Sequence, residues 1–123
     1  MQFNNLQLSA ILKIELCMAY ADGKIEDSEL TVVTIGMTEF GVDQNHFAFL
    51  NALADAMTPS TMLATLSSLD ENQKKFVCGF LASIMTCDGE IDASELKLWQ
   101  MTSSLAGFPI MTISEAKEYW VNN

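Results

Sequence analysis

Acidic residues that could bind a metal ion recur in two short segments of the chain. The first set is Asp22, Glu26 and Glu29. The same spacing returns 66 residues later (22 to 88) in Asp88, Asp92 and Glu95. Carboxylate oxygens are the ligands that Mg²⁺ and Ca²⁺ prefer, whereas Zn²⁺ favours nitrogen and sulfur. Three carboxylates with water completing the shell predict a shallow Mg²⁺ or Ca²⁺ site at each turn.

The pattern common to both segments is Asp-Gly-x-Ile-x-x-x-Glu, which matches the second half of an EF-hand calcium loop. In such a loop, the opening positions would hold Met18 and Tyr20 in one copy and Ile84 and Thr86 in the other. None of these side chains is an anionic ligand, and the apolar ones are expected in the core. The sequence therefore excludes a standard EF-hand.

A second interpretation gives the same acids a purely structural role. Asp22 and Asp88 can accept backbone N–H bonds within their turns. Asp92 and Glu95 have the spacing of a capping box at a helix start, where acids also stabilise the helix dipole by about 0.3–1 kcal/mol each. Ile91 and its counterpart in the first copy would then anchor each turn in the core. Both interpretations stay open at this point.

Apolar periodicity predicts an all-α fold of six or seven helices, and no segment alternates as a strand would. The first and fifth helices are apolar on almost every side and are expected to be central. Gly41 and Gly107 are expected to end the second and sixth helices. Predicted helix starts carry typical N-cap residues, which are Asn4 or Asn5, Asp43, Thr58 before Pro59, Asp70, Asp92, and Thr112 or Ser114.

The repeat extends beyond the turns. The same offset relates apolar positions of the first and fifth helices and the two closing glycines, so segments of about 6–42 and 72–108 read as an internal duplication with pseudo-twofold symmetry. At 123 residues the chain is expected to form one domain, residues 1–123.

Charge and composition exclude several classes of partner. The net charge is −10, from 16 acids and 6 bases, and every base is lysine. A field this negative, without guanidinium groups, argues against nucleic-acid binding and against a basic membrane-binding patch. No apolar run reaches the roughly 20 residues that span a bilayer, and the N-terminus lacks the basic region of a signal peptide.

The cysteines and the other reactive side chains suggest neither a disulfide framework nor an enzyme. The three cysteines are odd in number and form no C-x-x-C pair, which indicates a reducing cytoplasm; Cys17 and Cys78 are expected in the core. His46 is the single histidine, and neither a G-x-S-x-G turn nor a glycine-rich phosphate loop is present. We therefore expect no catalytic residues and no cofactor other than a divalent cation.

The two Asp-Gly turns, with the apolar helices that precede them, resemble the tellurite-resistance TerB family and the N-terminal domain of a DnaJ-type co-chaperone. The resemblance covers nearly the whole chain and implies a bundle of about seven helices with internal two-fold symmetry. It also implies that Asp22, Glu29, Asp88 and Glu95 bind metal, and that the protein works in stress response, in association with membrane-linked protein complexes.

Two functional hypotheses follow. In the first, the chain is a non-enzymatic TerB-like stress-response module that holds a divalent cation at its paired acidic turns. In the second, it is a metal-free adaptor for an unknown protein partner, and the acidic turns only cap helices. Exposed methionine and phenylalanine side chains could serve as the contact surface in either case.

Overall fold

Seven helices make up most of the described part of the chain, which comprises residues 2–20, 27–86, 89 and 91–123 of a computed structural model. No strand occurs among these residues, so the predicted all-α bundle is confirmed. The helices are α1 (Asn5–Ala19), α2 (Asp27–Glu39), α3 (Gln44–Ala56), α4 (Pro59–Ser67), α5 (Glu71–Met85), α6 (Ala93–Leu105) and α7 (Ile113–Asn122).

The helix starts are set by side chains that satisfy free backbone N–H groups. At the start of α1, Asn4 accepts from the Gln7 backbone at 2.8 Å and Gln7 accepts from the Asn4 backbone at 2.9 Å. Asp70 and Gln73 form the same reciprocal pair at the start of α5. The other predicted caps are confirmed where α3, α4, α6 and α7 begin, at Asp43, Thr58, Asp92 and Thr112.

Gly41 and Gly107 end α2 and α6 in the same way. Their φ angles are +82° and +69°, a region that a residue with a Cβ enters only at a cost. The next residue then closes the helix: the Val42 N–H donates to Met37 at 3.1 Å and the Phe108 N–H donates to Ser103 at 2.8 Å. This is the 6→1 bond of a Schellman motif, and the predicted glycine termini are confirmed.

Helices α1 and α2 have the same spacing along the chain as helices α5 and α6. The bounds of α1 and α5, and those of α2 and α6, differ by the same 66 residues (5 to 71, 27 to 93) that separate the acidic turns. The matching caps and glycine termini obey this offset as well. That this repeated spacing arose by an internal duplication stays a prediction.

Helices α1 and α5 form the centre of the bundle, as their apolar sequences predicted. Nine residues of α5 are buried, and α1 packs against α3, α4 and α5. Helices α5 and α7 pack against each other at Gly79, where an added Cβ would collide with the Ala116 carbonyl. Five aromatic rings join the helices, with centroids 5.1–6.4 Å apart, and they belong to Phe3, Phe40, Phe76, Phe80 and Trp120.

Candidate functional site

The start of α6 carries two of the predicted metal ligands. Asp92 is the N-cap, and its Oδ1 accepts from the Ser94 N–H at 2.8 Å and from the Glu95 N–H at 3.2 Å. The Glu95 side chain turns inward and is only 5% exposed. One oxygen of Asp92 is therefore already used in holding the helix start, which is the structural role that the capping interpretation assigns to it.

The remaining predicted ligands are not placed by the structure. Asp22, Glu26 and Asp88 lie outside the described residues, and so does the side chain of Glu29, whose backbone belongs to α2. Within the part of the chain that is described, no three histidine, cysteine or acidic side chains form a group that could hold a metal ion. Of the six predicted ligands, Asp92 and Glu95 are the two whose side chains are described, and both lie at the start of α6.

Two expectations about single side chains were wrong. Ile91 is 47% exposed, so it does not anchor the second turn in the core. Cys17 is exposed, because it falls on a side of α1 that the described helices leave uncovered. The expectation for Cys78 is confirmed, and burial raises the pKa of its thiol to about 11, which keeps it protonated at neutral pH.

A surface groove lies where α6 ends and the chain turns toward α7. We call it the α6 groove; its volume is about 500 Å³. Trp99, Phe108, Pro109 and Met111 supply most of its apolar wall. Polar groups come from the side chains of Gln100, Ser103 and Ser104, and none of the described lining residues is ionisable. Ile110 stands at its rim and is fully exposed.

A second groove occupies the corresponding place at the end of α2. This α2 groove has a volume of about 470 Å³. Six of its lining residues match six of the α6 groove at the 66-residue offset of the repeat. They are Thr34, Met37, Thr38, Val42, Asp43 and Gln44, and their counterparts are Gln100, Ser103, Ser104, Phe108, Pro109 and Ile110. Each groove therefore forms where a glycine-terminated helix turns into the next segment.

The two grooves differ in chemistry although they share this geometry. Asp43 places a carboxylate in the α2 groove, where the α6 groove has Pro109. The α2 groove has the polar side chain of Gln44 where the α6 groove has the large apolar side chain of Ile110. The two grooves therefore differ mainly in charge, since none of the described residues that line the α6 groove is ionisable. Sequence reasoning missed both grooves, because each depends on how the chain folds back after a helix.

The carboxyl group of Glu15 is a further feature that sequence reasoning missed. Glu15 lies on α1, is fully buried, and neither of its carboxyl oxygens has a hydrogen-bond partner within the described structure. Burial away from water raises the pKa of Glu15 well above its ordinary value. An acid within an otherwise apolar stripe was the available signal, and the corresponding residue of α5 is Leu81.

His46 makes two hydrogen-bond contacts at the starts of helices. Its Nε2 lies 2.7 Å from Asn5 Oδ1, and its backbone N–H donates to Asp43 at 2.8 Å. It therefore links the start of α3 to that of α1. Among the described helices, none is both long and apolar enough to cross a membrane.

Comparisons with known proteins identify a close structural counterpart. No protein-family model matches the chain, and no curated protein matches it. Among solved structures, the chain is similar to a protein of unknown function from Porphyromonas gingivalis W83, with 38% sequence identity and a TM-score of 0.88. The match covers 100% of this chain and 99% of that chain.

Proposed function

We propose that this chain, which belongs to the same family as the Porphyromonas gingivalis protein, is a non-enzymatic helical module that binds other protein segments through its surface grooves. In this proposal the acidic turns serve to begin helices. The chain acts as an adaptor, and the chemistry of recognition resides in the α2 and α6 grooves.

The observation that carries the proposal is the pair of register-matched grooves. One groove lies at the end of α2 and the other at the end of α6, and both helices end at a glycine. Each groove presents apolar walls with a few polar groups. Grooves of this kind accept the apolar face of an amphipathic helix or an extended peptide. Exposed apolar side chains beside them, Met101 at 50% and Ile35 at 54%, enlarge the surface available to such a segment.

The role of Asp92 supports the same proposal. Its carboxylate accepts two backbone N–H bonds at the start of α6, which accounts for an acid at this position without a metal ion. Glu95 is buried at 5% exposure and does not face solvent as a ligand of a shallow cation site would.

Selection of binding peptides tests the proposal even though the natural partner is unidentified. The protein is immobilised and screened against a displayed library of random peptides. Ser104→Trp fills the α6 groove, and Thr38→Trp fills the α2 groove at the matching position. We expect the selected peptides to lose binding to one of these variants and to keep it with the other. A library that yields no binder, or binders unaffected by both substitutions together, would contradict the proposal.

A second candidate is a TerB-like stress-response module that holds Mg²⁺ or Ca²⁺ at the acidic turns. The repetition of the acids favours it, since the Asp-Gly-x-Ile-x-x-x-Glu pattern occurs twice in register. In this candidate Asp22, Glu29, Asp88 and Glu95 are the ligands, assisted by Glu26 and Asp92. Its signature is a cation-dependent rise in thermal stability that disappears when Glu29 and Glu95 are both changed to Gln.

A further inference from the structure

We propose that the α2 groove binds a basic segment of a partner protein, which packs an apolar side chain into the groove and places a lysine or arginine against Asp43. The inference rests on the proposed function and names the chemistry of the partner for one of the two grooves. It is carried by the lining of the α2 groove, by a difference between the ends of α2 and α6, and by the net charge of the molecule.

The lining of the α2 groove combines apolar side chains with one carboxylate. Met37, Val42 and Phe47 are its apolar members. Asp43 is exposed, and its Oδ1 accepts the His46 backbone N–H at 2.8 Å. Within the described structure Asp43 forms no ion pair. A segment that packs an apolar side chain into this groove can therefore bring a neighbouring lysine or arginine to a carboxylate that has no cation of its own.

Two other helices end against a lysine that the chain itself supplies. Lys13 Nζ donates to the Ala54 carbonyl, in the last turn of α3, at 2.9 Å. Lys74 Nζ donates at 3.4 Å to the carbonyl of Gly107, the glycine that follows α6. The carbonyl groups at the C-terminal end of a helix carry partial negative charge, so a cation close to them is stabilising.

The end of α2 has no such lysine among the described residues. The position that corresponds to Lys74 at the offset of the repeat (8 to 74) is Leu8, whose side chain is buried. The last turn of α2 contains no basic residue, and the described lining of the α2 groove contains no lysine. Asp43 adds a full negative charge beside the same helix end. A cation supplied by a partner is therefore favoured at this groove.

The net charge of the whole molecule also selects a basic partner. With 16 acids and 6 bases, the chain has a net charge of −10, which attracts cationic segments and repels anionic ones. Asp43 focuses this attraction on the α2 groove. The described lining of the α6 groove has no ionisable residue, and Lys74 lies against its Gly107. A basic segment is therefore expected to prefer the α2 groove.

Selected peptides and a matched pair of variants test the inference. Peptides are selected on the wild type from the displayed random library, and those that lose binding to Thr38→Trp are assigned to the α2 groove. Asp43→Asn removes the charge but keeps a good N-cap. Asp70→Asn is the control, because Asp70 is also an N-cap that accepts an N–H at 2.8 Å, yet it is not among the described residues that line either groove. Circular dichroism verifies the helical fold of each variant.

We expect the peptides assigned to the α2 groove to contain more lysine and arginine than the unselected library. A synthetic copy of one such peptide should bind Asp43→Asn roughly two- to fivefold more weakly than the wild type in about 0.05 M salt, and should bind Asp70→Asn as well as the wild type. The loss in Asp43→Asn should shrink in about 0.5 M salt, because salt screens an exposed charge pair.

Peptides of the α2 groove that show no excess of basic residues would overturn the inference, and so would an equal loss of binding in Asp43→Asn and Asp70→Asn. If no selected peptide responds to Thr38→Trp while some lose binding to Ser104→Trp, the inference is wrong and the proposed adaptor function stands. A library that yields no binder contradicts both.

Discussion

The carboxyl group of Glu15 lies among apolar side chains near the middle of the bundle. On its own helix the neighbouring side chains are Ile11, Leu12 and Met18, which are fully buried. Removing a carboxylate from water without a compensating hydrogen bond is strongly unfavourable, so the group avoids its charge by keeping its proton. Burial therefore raises the pKa of Glu15, and folding becomes coupled to pH at this residue.

The direction of this coupling follows from the protons bound in each state. The unfolded chain releases the Glu15 proton near the ordinary pKa of about 4.3. The folded protein holds it to a higher pH, so folding takes up a proton between the two pKa values, and stability decreases as pH rises through that window. Below the unfolded pKa both states are protonated and the unfavourable contribution is absent.

Glu15→Gln tests this account. The substitution keeps the shape of the side chain and removes its titration, so we expect the variant to gain stability relative to the wild type as the pH rises from 4 to 8. The difference should shrink toward zero as the pH approaches 4. Urea unfolding across this range measures both quantities. The exposed Glu118→Gln is the matched control, and an equal pH response of the two variants would refute the assignment.

The packing of the C-terminal half depends on the close contact between α5 and α7. Gly79 brings the α5 backbone against α7, where an added Cβ would collide with the Ala116 carbonyl and approach the Trp120 Cβ at 2.6 Å. Trp120 in turn stacks on Phe80, with ring centroids 5.6 Å apart. Backbone atoms cannot rotate away as a flexible side chain can, so the position requires glycine.

Gly79→Ala is expected to destabilise the protein even though alanine favours helices. Helix propensity alone would raise the free energy of unfolding by about 1 kcal/mol. Overpacking against a backbone carbonyl opposes this with about 1–3 kcal/mol, so we expect a net loss of stability. The midpoint of urea unfolding measures the sign directly. A variant more stable than the wild type would show that α7 can shift away from α5 at little cost.

Across the whole molecule, the order of the helices was predictable from the sequence, but the two surface grooves were not. Cap residues such as Asp70 and the terminating Gly107 act on adjacent backbone groups, so local sequence is sufficient to recognise them. Burial depends on which neighbours cover a side chain. Cys17 lies between two apolar residues in the sequence and Ile91 is itself a large apolar residue, yet both are exposed in the bundle. The inward orientation of Glu15 escaped notice for the same reason.

The acidic residues of the candidate site were predictable from the sequence, whereas the grooves were not. The acids of the repeat were visible as a pattern, and Asp92 does occupy the helix start that the pattern indicated. The grooves join residues of a helix to residues of the following turn, and their depth follows from the packing of the helix beneath. Such an arrangement produces no periodic pattern in the sequence from which a groove could be predicted. The offset that relates the two grooves could be recognised only once the fold was known.

Whether the acidic turns cap helices or hold a cation is tested most directly by the unfolding free energy of chelator-treated wild type and Asp92→Asn, with and without Mg²⁺ or Ca²⁺. Asparagine caps a helix about as well as aspartate but lacks the charge that a metal ligand provides. Asp92→Ala is the control and should lose about 1 kcal/mol as a missing cap.

We expect the wild type and Asp92→Asn to agree within about 0.5 kcal/mol in every condition, and the ions to stabilise neither. A wild type stabilised by roughly 2.7 kcal/mol at an ion concentration of about 100 times its dissociation constant, with Asp92→Asn unresponsive, would contradict the account. In that case the acidic turns would be a cation site.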